Sequence, residues 1–150
     1  MAKGQWKMKK LTRITYIEDD PDIRAVTEMV LEAPGGLVRV RAENLGGFTL
    51  NVCNGGLSAL QSAPLFKPDL ILLDVMMPGM DGIEVLNKFK NIPELAATPV
   101  IFMTAKAQRH EVEGYKKLGA ADVISKPYDP MKLVDRIVEI WNHYQSEKAA

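Results

Sequence analysis

The chain has one cysteine in 150 residues, no net charge and no long hydrophobic run, and each absence removes a class of function. A lone Cys53 excludes an internal disulfide and a thiol-rich metal site; it suits a reducing compartment and reads as a small buried apolar residue. Nineteen basic residues balance nineteen acidic ones, so no global field draws the chain toward nucleic acid or an anionic membrane. No segment approaches the roughly 20 apolar residues of a membrane span. The basic start, Met1 to Lys10, lacks the apolar stretch of a signal peptide. A cytoplasmic protein with neither nucleic-acid nor membrane partners is expected, with residues 1–10 as a disordered basic extension and one folded domain over residues 11–147. The length leaves no room for a second.

From Leu11 onward, short apolar runs alternate with amphipathic stretches, the pattern of an α/β protein whose parallel sheet carries helices on both faces. Five strands are predicted: Ile14 to Glu18, Phe48 to Cys53, Leu70 to Asp74, Val100 to Thr104 and Val123 to Ser125. Asp20 can cap the first helix, with Pro21 at its first position, and Asp129 with Pro130 repeats that start for the last helix. There Leu133, Val134, Ile137, Val138 and Trp141 recur at three- and four-residue spacing. The middle helices are predicted near Leu57 to Gln61, Ile83 to Lys90 and Gln108 to Leu118, with Gly119 as a stop. Between the first helix and second strand, Pro34, Gly35 and Gly36 oppose helical continuation. "LVRVRAENLGGFTLNVC" then reads as a hairpin in which Leu37 to Arg41 pairs antiparallel with Phe48 to Cys53, an extra edge strand from an insertion at 34–46. A longer helix followed by a loop is the plainer alternative.

In open parallel sheets, ligands gather at the carboxyl ends of the strands. Here the first strand runs into Glu18, Asp19 and Asp20, the third ends on Asp74, the fourth on Thr104, and the fifth precedes Lys126. Asp20 is accounted for as a helix cap. Two like charges about 4 Å apart repel by roughly 4 kcal/mol at an effective dielectric near 20. Glu18, Asp19 and Asp74 would therefore hold a proton or bind a cation, and an all-oxygen set favours Mg2+. Beside such an ion and Lys126, the Asp74 carboxylate could attack a phosphoryl group, with the Thr104 hydroxyl and the Lys126 ammonium pairing with its oxygens.

From about Thr12 to Trp141, apart from the segment near 34–46, the sequence resembles the receiver domain of two-component response regulators. The likeness rests on "YIEDDPDIR", "LLDVMMPGMDG", "VIFMTAK" and "GAADVISKPYD". It implies a flavodoxin-like sheet of order 2-1-3-4-5 and Asp74 as phosphoacceptor. Asp19 becomes a direct Mg2+ ligand, with Glu18 acting largely through water and Met76 giving a backbone carbonyl. Thr104 is the switch hydroxyl, Lys126 the phosphoryl-pairing lysine, and the Lys126–Pro127 bond is cis. The donor is expected to be a histidine kinase or a histidine phosphotransfer protein, since neither His110 nor His143 has a phosphodonor context. A surface made by the fourth helix, fifth strand and last helix would control binding to a downstream protein, or to a second copy. No output domain is expected beyond Trp141, and for a natural chain of this length signalling would pass through contacts of the receiver itself.

The chain departs from the family at Val123, where many relatives carry a switch aromatic three residues before the lysine. Tyr128 lies on the other side of the lysine and does not inherit that role from sequence position. An aspartyl-phosphate phosphatase is the enzymatic alternative, but such enzymes place a second acid two residues after the nucleophile, where this chain has Met76. A signalling domain with at most self-phosphorylation and self-dephosphorylation is expected. A degenerate receiver serving as a scaffold is the remaining alternative, although every expected site residue type is present.

Overall fold

A computed structural model describes residues 7–32 and 47–150. In chain order the elements are β1 (Arg13–Ile17), α1 (Pro21–Glu32), β2 (Thr49–Cys53), α2 (Gly56–Phe66), β3 (Leu70–Asp74), α3 (Gly82–Lys90), β4 (Val100–Thr104), α4 (Arg109–Lys117), β5 (Asp122–Ser125) and α5 (Pro130–Ala149). The strands form one parallel sheet of order β2-β1-β3-β4-β5. The parallel sheet is the one that the alternation of runs and amphipathic stretches predicts, and its flavodoxin-like order is the one that the resemblance to receiver domains implies.

The unbroken apolar runs follow from burial on two faces. Along β3, Leu70 and Leu72 face the layer built by α1 and α5, while Ile71 and Leu73 face α2 and α3. Each alternate side chain therefore reaches a different core. β4 repeats this, with Ile101 and Met103 on the first side and Val100 and Phe102 on the second. Fully burying an aliphatic side chain contributes roughly 1.5–3 kcal/mol, so the middle strands carry much of the folding energy.

The helix starts are as expected. Asp20 accepts from the N–H groups of Asp22 and Ile23 at 2.9 and 3.1 Å, and Asp129 accepts from the N–H of Met131 at 2.9 Å. Gly119 has φ of +114°, as a helix stop requires. α2 is longer than the predicted Leu57 to Gln61: it passes Pro64 and ends at Phe66. Ala59 and Ala63, one turn apart and fully buried, continue its core-facing stripe, and Lys67 closes it in a left-handed cap. β1 ends at Ile17, so Glu18 lies just beyond the strand and not within it.

Lys9 is fastened to the domain: its N–H donates to Gln145 Oε1, its carbonyl accepts from Trp141 Nε1, each at 2.9 Å, and its ammonium pairs with Asp69 at 2.7 Å. The predicted strand from Leu37 to Arg41 lies outside the described residues. Within them β2 pairs with β1 alone. Among the described residues no helix is long and apolar enough to cross a membrane.

Candidate phosphoacceptor site

Strand register brings the site together. Ile17 is level with Leu73 and Asp74 with Met103, so Glu18 emerges beside Asp74; Thr104 is level with Ser125, and the N–H of Lys126 donates to the Thr104 carbonyl at 2.9 Å. One oxygen from each of Glu18, Asp19 and Asp74 lies within 4.8 Å of the others. Glu18 and Asp74 are buried and Asp19 is half-buried.

The Lys126 ammonium sits between the two buried acids, 2.7 Å from Glu18 Oε1 and 3.3 Å from Asp74 Oδ1. Asp74 also accepts one backbone hydrogen bond, from the N–H of Met76 at 3.1 Å. These favourable contacts do not compensate Asp74. Burial, followed by the neighbouring Glu18, pushes its carboxyl up to about 7 from an ordinary 3.8, against the opposing pull of Lys126 and the Met76 N–H. Burial pulls the Lys126 ammonium down, but the hydrogen bond to Glu18 and the charges of Asp74 and Glu18 outweigh it and hold the ammonium above its ordinary value.

Such a pocket has an excess of negative charge and an all-oxygen donor set open on its Asp19 side. Those are the properties a small hard divalent cation requires, and the residues present fit Mg2+. Of the remaining predicted residues, Met76 contributes its N–H to Asp74 and exposes its side chain, 57% accessible. The buried Thr104 hydroxyl accepts from the N–H of Lys106 at 3.0 Å, so its hydrogen bond goes to the following turn and not to Asp74. The Lys126–Pro127 bond is cis, and Val123 packs in the core beside Phe102 and Tyr115.

Two supporting residues carry no role in the sequence prediction. The Arg24 guanidinium, one turn into α1, donates to the carbonyls of Glu18 and Asp19 at 2.9 and 3.3 Å and so shapes the acidic loop. Gly82 opens α3 directly against the end of β3: a Cβ there would come within 2.5 Å of the Asp74 carbonyl oxygen. The glycine in "MDG" is thus a close-approach residue as well as a turn residue. An arginine following an acidic run and a glycine at a helix start were the available signals, each too common to be decisive alone.

The family described as the response regulator receiver domain matches residues 14–138. Among similar proteins, the probable transcriptional regulator ycf29 of Porphyra purpurea is 44% identical over 61% of this chain and 44% of its own length. The transcriptional regulatory protein CseB of Streptomyces coelicolor is 34% identical over 87% of this chain and 49% of its own. The chain thus spans about half the length of the curated relatives it matches. In structure it is similar to chemotaxis protein CheY4 of Vibrio cholerae, with a TM-score of 0.73 over 87% of this chain and 99% of that one; at 21% identity this likeness shows the fold. With the sheet order and family match in agreement, the chain belongs to the response regulator receiver domains of two-component signalling.

Proposed function

We propose that this domain accepts a phosphoryl group on Asp74 from a histidine kinase or histidine phosphotransfer protein, in a reaction that needs Mg2+. The observation that carries this reading is the over-charged pocket itself: a buried carboxylate at a rigid strand end, held up to about 7, beside two further acids and one lysine. An Asp74 oxygen forms the new bond to phosphorus as the donor's phosphorus–nitrogen bond breaks, and the electron pair leaves with the donor nitrogen, which takes a proton. Bound by Asp19, Asp74 and the Met76 carbonyl, with Glu18 acting mostly through water, Mg2+ would supply positive charge to the transferring oxygens and keep Asp74 ionised. Lys126 shifts from Glu18 toward the phosphoryl group, and the Thr104 hydroxyl turns from the Lys106 N–H to donate to another oxygen.

These two movements pull the loops after β4 and β5. We propose that they alter the surface of α4, β5 and α5, through which a downstream protein, or a second copy of the chain, is engaged. Val123, a small side chain packed under that surface in the core, displaces less when it shifts, so the rearrangement there is smaller than in relatives with an aromatic. No acid stands at Met76 to activate water, which supports a signalling domain over a phosphatase. With balanced charge, direct nucleic-acid contact is not part of this function. The test is intact-mass measurement after incubation with acetyl phosphate and Mg2+. Wild type gains one acid-labile phosphoryl group, Asp74→Asn gains none and Asp19→Asn needs more Mg2+. Equal labelling of Asp74→Asn would refute the assignment.

A further inference from the structure

Beside the lysine loop lies a group of three hydroxyls that the phosphoacceptor chemistry does not use. Tyr16, next to last in β1, is fully buried, and among the described residues its hydroxyl makes no hydrogen bond of good geometry, although it faces two other hydroxyls. It lies beside the hydroxyls of Thr27 on α1 and Tyr128 on the loop after β5, which hydrogen-bond each other. A buried hydroxyl without a partner costs about 1–3 kcal/mol, and Thr27 and Tyr16 are both buried, so pairing Tyr128 with one or with the other leaves arrangements of comparable cost that a small bias can exchange.

Tyr128 has room to change partners. It lines two open clefts, one of about 500 Å³ shared with Ile23, Val26, Thr27 and Pro127, and one of about 390 Å³ shared with Val123, Leu133 and Arg136. It also has a cause to move. Tyr128 follows Lys126 by one intervening residue, and Lys126 bridges Glu18 and Asp74.

We propose that Tyr128 reports the state of Asp74 to α1, its hydroxyl leaving Thr27 for Tyr16 when a phosphoryl group on Asp74 draws Lys126 away from Glu18. This inference rests on the phosphoacceptor role of Asp74. In effect the loop after β5 supplies the moving aromatic that β5 itself lacks at Val123. With the Tyr128–Thr27 bond released, α1 loses its hydroxyl tether to the loop, and the groove containing Ile23 and Val26 changes shape. Tyr128 and Tyr16 are positioning residues, touching neither phosphoryl group nor metal.

The test is amide hydrogen exchange on the full chain with and without beryllofluoride and Mg2+, paired with intact mass after acetyl phosphate treatment. In wild type the exchange of Pro21–Glu32 changes with beryllofluoride. In Tyr128→Phe and in Tyr16→Phe that change is lost, while the mass gain at Asp74 remains. A purely structural Tyr16 gives a different result: Tyr16→Phe removes an unpaired buried hydroxyl, raises the melting temperature and leaves the α1 response intact. That outcome, or a wild-type α1 that does not respond while Asp74 is labelled, overturns the inference alone. Failure of wild type to take the phosphoryl group overturns the phosphoacceptor role and this inference with it.

Discussion

Two buried aspartates bracket the same strand, and they have opposite electrostatics. Asp69 immediately precedes β3 and Asp74 ends it; Asp69 is 7% exposed and Asp74 3%. Burial raises both carboxyls. At Asp69 it is outweighed by the Lys9 ammonium, the N–H groups of Arg13 and Thr12, and the Thr12 hydroxyl, which hold the acid below its ordinary 3.8. At Asp74 one backbone N–H and a lysine shared with Glu18 do not suffice, and the acid stays near 7. The number and ownership of donors decide the outcome. One end of β3 is satisfied; the other keeps an excess of negative charge, as the proposed cation site requires.

The largest effect on stability is expected from Asp69→Ala, which strands the N–H groups of Thr12 and Arg13 and should cost about 3 kcal/mol in denaturant unfolding at neutral pH. Because Asp69 is depressed in the folded state, its stabilisation is complete above 3.8 and is lost as pH falls through the lower folded value, so wild type and variant converge in acid. Asp74→Asn should act in the opposite direction, stabilising the Mg2+-free protein at neutral pH by roughly 1–2 kcal/mol. Its folded carboxyl is raised, so the wild-type penalty is absent below 3.8, grows as pH rises toward about 7, and is complete above it. Saturating Mg2+ should remove the advantage of the variant, since only wild type has the full ligand set. The smallest effect belongs to Lys9→Ala. The Lys9 side chain is 63% exposed, so its pairing with Asp69 is largely screened and its loss should cost about 0.5 kcal/mol in the same unfolding assay.

The sequence made the Asp74 end of β3 more legible than the Asp69 end. An acid terminating four aliphatic residues stands out, and its partners sit at the ends of other strands, where one topological rule collects them. The strand runs and the capped starts of α1 and α5 were readable because each is a local pattern with a single satisfactory burial, whereas the sheet order was legible only through the resemblance to receiver domains. Asp69 was not singled out, because its partners at Lys9, Thr12 and Arg13 come from a distant part of the chain and form no motif. Arg24 and Gly82 were missed because their roles depend on backbone approach, which residue type alone does not encode. α2 outran its predicted end at Gln61 because the buried Ala59 and Ala63, small residues that mark no strong apolar stripe, carry the helix on past Pro64. Thr104 was placed at the right strand end, but its bond to the Lys106 N–H is a turn geometry that only coordinates display.

The most direct test of unequal donors at the two ends of β3 is a carbon-13 NMR titration of the Asp69 and Asp74 carboxyls in one sample, without and with Mg2+. Asp74 should titrate near 7 and Asp69 below 3.8 in the metal-free protein, and Mg2+ should lower Asp74 while leaving Asp69 where it is. Coincident titration of the two acids near 3.8, or an Asp74 midpoint indifferent to Mg2+, would contradict it.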